Sequence, residues 1–187
     1  MTDDAGGSAA TNNPATVAAF ARLRAAIGQP RPPAPTSMTL PDEFEQIPAD
    51  QLDHWQDGGP TTNLMDPPEF LDEGARDKVR LWVVGVEDVV HAPKNCSFGL
   101  SRSRKELKHS NLTAGGLAYS GGELFVVDES TVVVNGDSGR YGPRNGDEMN
   151  NVLKAFLESG HRTYTTGYDT DVGEPLPLIG VKLVRVA

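Results

Sequence analysis

The sequence predicts an α+β fold: a single compact domain with a mainly antiparallel sheet and one principal helix, preceded by a partly disordered acidic leader. Three observations carry that prediction. Apolar, β-branched runs recur at residues 79–84, 117–127 and 131–134. One strongly amphipathic stretch at 146–159 has helical spacing. The acidity is segregated, because the net charge of −9 falls entirely on residues 1–75, where Arg22, Arg24 and Arg31 face twelve carboxylates. The remaining 112 residues carry fourteen charges of each sign.

Residues 1–14 are small and polar, with too little apolar surface to offset the entropy of ordering, and are expected to be disordered. A short helix is expected at 15–27, entered through Asn13-Pro14 and stopped by Gly28, with Val17, Phe20, Leu23 or Arg24, and Ile27 as a narrow stripe that docks on the domain or a partner. The proline-rich 29–36 (QPRPPAPT) reads as a stiff linker. Residues 40–72 carry scattered apolar anchors, Trp55 among them, and suggest a segment that wraps a surface, with a short helix at 49–56. The compact domain is then expected to span 76–187.

Within that domain, 79–84 (VRLWVV) reads as a buried strand with 86–91 as its hairpin partner. Residues 117–127 and 131–134 read as two strands turning at Asp128-Glu129-Ser130. The helix at 146–159 presents Met149, Val152, Leu153, Phe156 and Leu157 on one face, with Asn145 as cap, Glu148 three residues on, and Gly160 as stop. A short strand at 163–166 and a terminal strand at 179–186 complete the reading.

Several function classes are disfavoured. An acidic chain without a Lys/Arg stripe interleaved with aromatics repels phosphate backbones, so nucleic acid is not an expected partner. Cys96 is the only cysteine, and His54, His91, His109 and His161 are scattered, so no metal site is expected. No apolar run is long enough to span a membrane. The N-terminus lacks a signal-peptide pattern, which suggests a cytoplasmic protein or one exported without a cleaved signal.

The chemistry concentrates at 108–144, where KHSNLTAGGLAYSGGEL and NGDSGRYGPR flank a β-rich VVDESTVVV. His109 and Ser110 stand at a strand entrance after the basic run 102–108 (RSRKELK), whose side chains either face solvent or meet a substrate phosphate. Gly121-Gly122 interrupts a strand and marks a bulge or a close approach, which would present Glu123. Ser138, Gly139, Arg140 and Tyr141 lie between a strand and a helix, where backbone amides bind anions. His109, Glu123 and Tyr141 are therefore the candidate catalytic residues, and Ser110, Gly122, Ser138, Gly139 and Arg140 the candidate binding residues.

This block resembles the "HSS…GG…AGE…SGHY-x-P" region of plant IQ-motif calmodulin-binding proteins and related bacterial and fungal toxin- or effector-type domains. Matching positions are His109-Ser110, Gly122-Glu123, Ser138-Gly139, Tyr141 and Pro143, over about a third of the chain. Asn111 stands where that pattern has its second serine and Arg140 where it has histidine. The IQ helix is lacking, so calmodulin is not an expected partner.

The resemblance implies an effector- or toxin-like enzyme domain. His, Tyr and Glu together are the residue types of an NAD-dependent ADP-ribosyltransferase, with NAD as cofactor: the histidine fixes the ribose, the tyrosine stacks on nicotinamide, and the glutamate stabilises the oxocarbenium charge. The chain order here is His, Glu, Tyr, with Glu174 as a later carboxylate. Two alternatives stand beside it: a non-catalytic module binding a small ligand or a protein, and an assembly protein whose leader wraps a neighbour.

Overall fold

The computed structural model describes residues 13–36 and 39–187. The disorder expected for 1–12 lies outside the described residues, while Asn13 and Pro14, expected to belong to it, open the first helix. That helix, α1 (Pro14–Ile27), ends where Gly28 turns to φ 89° and its N–H reaches Arg24 O. Its first amides are satisfied from a distance. Asp57 Oδ2 and Oδ1 accept from Ala15 N at 3.2 Å and Thr16 N at 2.7 Å, and Asn13 Oδ1 accepts from Asp57 N.

The expected runs at 79–84, 117–127 and 131–134 each become strands, and further short strands join them. β1 (Asp53–His54), β2 (Arg80–Gly85), β3 (Val89–Pro93), β4 (Ala118–Asp128), β5 (Thr131–Val134), β6 (Arg162–Thr165) and β9 (Val184–Arg185) form one sheet in the order β1-β3-β2-β4-β5-β6-β9. A short helix, α2 (Ser97–Leu100), lies between β3 and β4, and β7 (Tyr168–Asp169) pairs with β8 (Glu174–Pro175) as a separate hairpin. Every pairing in the large sheet is antiparallel except β5 with β6, which are bridged by the amphipathic helix α3 (Gly146–Glu158). Asn145 Oδ1 caps that helix by accepting from Glu148 N at 2.9 Å.

Alternation along β2 explains its continuous apolar run. Trp82 and Val84 join a cluster with Phe20, Leu23, Trp55, Val152 and Phe156 under the two long helices, whereas Leu81 and Val83 join Ile47, Leu107, Leu112 and Tyr141 on the opposite face. Both faces of the strand are buried. Phe156 is the centre of the first cluster, with its ring edge-to-face against Phe20 at 5.3 Å, Trp55 at 4.9 Å and Trp82 at 5.3 Å.

The expected boundary at residue 76 does not separate two packed units. Phe20 and Leu23 sit in the core under α3, Ile47 and Leu71 are 2 % exposed, and Trp55 is anchored by its Nε1–H donating to Ser159 Oγ at 3.0 Å. Two local expectations also change. Residues 49–56 form a turn of 3₁₀ helix at Ala49–Gln51 and then β1, because an open sheet edge satisfies that backbone: Asp53 pairs with His91 and His54 with Val90. The terminal strand shortens to β9, since Gly180 turns to φ 80° and the preceding backbone bonds Leu71 O and Glu69 O instead of the sheet.

Two expectations test this packing. Phe156→Ala should cost about 3–5 kcal/mol in urea denaturation, and Lys154→Ala, on the exposed face beside Glu158, should stay within about 0.5 kcal/mol. Deleting residues 1–75 should abolish cooperative unfolding, because it strips Phe20, Leu23, Ile47 and Trp55 from both clusters; a deletion that melts cooperatively near the parent temperature would contradict that.

Candidate functional site

Three stretches within residues 109–143 meet at the face of the sheet opposite α3. The first is the 3₁₀ turn His109–Leu112, whose His109, Ser110, Asn111 and Leu112 are all buried. The second is the middle of β4, where Gly121 and Gly122 leave room on both faces of the strand. A Cβ on Gly121 would lie 3.2 Å from Tyr141 Cβ and 3.3 Å from His109 Cδ2, and one on Gly122 would lie 2.1 Å from Asn135 O. The third is the loop 135–143, which runs beside β4 through bonds from Gly121 N to Tyr141 O at 2.9 Å and from Asn135 N to Glu123 O at 3.0 Å.

Asn135, fully buried, closes this arrangement. Its Oδ1 accepts from Glu123 N and Asp137 N, and its Nδ2 donates to Leu176 O. Glu123 is thereby fixed next to β2, in register with Leu81. Lys94, just past β3, reaches across to it, Nζ to Oε1 at 2.9 Å. Burial opposes the charge on Lys94, but the hydrogen bond and charge of Glu123 outweigh it and raise the pKa of the ammonium group.

The resulting cleft has a volume of about 370 Å³. His109, Glu123, Ser138, Gly139 and Arg140 all line it, so five of the eight expected site residues converge. Ser110, Gly122 and Tyr141 do not. Ser110 is fully buried, and Gly122 is consumed by the close approach of Asn135 and the Trp82 ring. Tyr141 is fully buried too, because its hydroxyl finds Gly116 O at 2.7 Å and lies 2.8 Å from Thr113 Oγ1, leaving its ring to fill the core beside Val83 and Leu112. A tyrosine in a polar loop looked like a site ring, but its backbone acceptor is remote in sequence.

The His109 ring is in a defined tautomer. Its Nε2 lies 2.8 Å from Gly122 O, and a carbonyl only accepts, so Nε2 carries the proton. Burial pushes its pKa down to about 4 against the opposing pull of the Gly122 bond, with the positive charges of Lys94, Lys108 and Arg140 adding smaller shifts in the same direction as burial. The imidazole is neutral at pH 7. Ser138 Oγ accepts from both Arg140 N at 3.3 Å and Tyr141 N at 3.1 Å, which uses its lone pairs and leaves the hydroxyl proton to donate at the cleft wall.

The cleft also recruits residues absent from the expected set. Lys94 and Asp137 contribute from the domain, Arg104 and Lys108 come from the basic run ahead of His109, and Glu43 enters from the leader. Glu43, on the 3₁₀ turn Pro41–Phe44, is 3 % exposed and bonds the Arg140 guanidinium. The acidic leader carried no signal that this one carboxylate would be buried. Its position is set by Asn111, whose Nδ2 donates to Asp42 O and Glu45 O while its own O accepts from Ile47 N. The linker adds a second clamp, with Arg31 bonding Tyr141 O and Gly142 O and Ala34 N reaching Arg140 O.

No family model, curated protein or solved structure matches this chain.

Two tests follow from the geometry. Gly122→Ala should destabilise by about 3 kcal/mol or more, because backbone and not a flexible tip stands in the way, whereas Gly139→Ala, whose Cβ meets nothing, should be silent in stability. His91 and His161 share the depressed pKa of His109, each pushed down to about 4, first by burial. The unfolded chain therefore binds more protons between pH 6.5 and 4, and unfolding free energy should fall as pH is lowered through that window. A flat profile from pH 7 to 4 would mean these rings are not buried.

Proposed function

We propose that this chain is a binding module whose cleft holds a small polar ligand carrying both signs of charge. The observation that carries this reading is the composition of the wall. Lys94, Arg104, Lys108 and Arg140 line one cleft together with Glu43, Glu123, Asp137 and Ser138, with Lys94 paired to Glu123 and Arg140 to Glu43. A ligand of a single charge sign would draw a cation or a carboxylate away from its partner and leave the other buried and unpaired. A ligand with both signs replaces each partner it displaces.

The motif positions that resemble the toxin- and effector-type domains, His109, Glu123, Ser138 and Gly139, also belong to this wall, which supports placing the function there. The ADP-ribosyltransferase reading draws support from His109 and Glu123 sharing the cleft. It lacks a ring for nicotinamide, since Tyr141 is buried and no Phe, Tyr or Trp is among the described lining residues. The neutral His109 bonded to Gly122 O serves to orient the floor of the site.

The test is a thermal-shift and calorimetric panel of amino acids, aminophosphonates, short peptides and NAD on the full chain. At least one two-signed ligand should stabilise the protein, and Lys94→Met and Glu123→Gln should each weaken its binding by tenfold or more in calorimetric titrations of the folded variants. Release of nicotinamide from NAD by the parent protein, lost in Glu123→Gln, would instead establish the transferase. Absence of any ligand would remove the cleft as a site.

A further inference from the structure

The Arg140 guanidinium is held on three sides, yet half of its best edge is unused. Nη1 donates to Thr36 Oγ1 at 3.1 Å and lies 3.4 Å from Ala34 O, and Nη2 bonds Glu43. Nε is buried and has no hydrogen-bond partner. Arginine binds carboxylates and phosphates best side-on, through two parallel N–H groups such as Nε and Nη2. Glu43 takes only one of the pair, although the side chain of Arg140 is 10 % exposed and that of Glu43 only 3 %. An orphaned donor at such burial has a desolvation cost that native proteins rarely leave uncompensated.

Both partners of this ion pair line the cleft, together with Ser138 and Lys108. Glu43 belongs to the leader, and the turn that bears it is fastened independently of its carboxylate. Asp42 Oδ2 accepts from Ser103 N at 2.8 Å and Ser103 Oγ at 2.7 Å, Glu45 bonds Arg102, and Asn111 holds the carbonyls of Asp42 and Glu45. The Glu43 side chain can therefore swing off Arg140 without unfastening its backbone.

We propose that Arg140 is the anion anchor of the cleft and that Glu43 is a built-in competitor, displaced when the ligand's carboxylate or phosphate takes the Nε and Nη2 edge. This rests on the binding reading above and names the group by which the ligand is gripped. The displaced Glu43 carboxylate remains at the cleft wall, where it meets the cationic end of a two-signed ligand. The leader thus sets affinity: a ligand must outcompete a carboxylate already in place, so anions without a cationic end bind weakly and ligands that also satisfy Glu43 bind more tightly.

The experiment titrates the full chain with inorganic phosphate and, separately, malonate, read by calorimetry and by the NMR signal of the Arg140 Nε–H group. The parent should bind one or both in the millimolar range with a downfield shift of that signal. Glu43→Gln should bind at least tenfold more tightly, and Arg140→Lys, which keeps the charge but loses the two-pronged edge, should bind at least tenfold more weakly. The phosphate and malonate arms separate a tetrahedral from a planar oxyanion. If Glu43→Gln does not fold, the parent's Nε–H shift decides, and an unmoved signal at saturation overturns the proposal. Equal affinities in the parent and Glu43→Gln, binding that survives Arg140→Lys, or binding confined to Glu43→Gln also overturn it. A two-signed ligand bound through Lys94 and Glu123 but indifferent to Arg140 would sink this inference and leave the binding reading intact.

Discussion

The site depends on one close approach, that of Asn135 to the Gly122 position of β4. The gap is 2.1 Å from a hypothetical Cβ to Asn135 O, so any side chain there would push the loop 135–143 off the strand. With glycine in place, the Asn135 side chain can replace a missing ladder partner by accepting from Glu123 N, and the Trp82 indole N–H donates to both Glu123 O and Asn135 O. These bonds satisfy backbone groups that the end of β5 would otherwise orphan. They also turn Glu123, Asp137 and Ser138 toward the same space. The neighbouring Gly121 does the equivalent on the other face, where His109 and Tyr141 press in.

The acidic leader is a structural partner of this arrangement, and its charges have individual tasks. Asp57 caps α1 from 41 residues away, Asp53 bonds Arg80 at the sheet edge, Asp42 holds Ser103, and Glu43 pairs with Arg140. Exposed pairs of this kind contribute little singly. The Glu43–Arg140 pair differs, because removing either member would leave a buried charge uncompensated. Charge concentrated in the first 75 residues thus reflects a strap that lies across a domain balanced in sign and bonds its cations.

Much of the fold was legible because local pattern and tertiary packing agreed. The periodicity of α3, its Asn145 cap, the two-sided apolar run of β2 and the β4–β5 hairpin each state locally what the core requires. The misreadings arose where a remote partner decided. The segment 49–56 has helical composition, yet the exposed edge of β3 captures its backbone. The polar neighbours of Tyr141 suggest a place at the cleft, but Gly116 O satisfies its hydroxyl inside the core. Glu43 is the buried carboxylate among the described residues of the leader, and the carbonyl contacts of Asn111 show why. The convergence of His109, Glu123 and Ser138–Arg140 could be anticipated from glycines in a strand and a polar strand-to-helix loop, whereas the contribution of Lys94 depends on the registers of β3 and β4 against β2.

The most direct measurement is a backbone amide chemical-shift map of the full chain saturated with the best ligand of the two-signed panel. The largest changes are expected at Glu123, Asp137, Gly139 and Arg140, with a smaller set at residues 42–44, where Glu43 of the leader lines the cleft. Perturbations centred on Trp55 and His161, or spread evenly over the surface, would contradict that expectation.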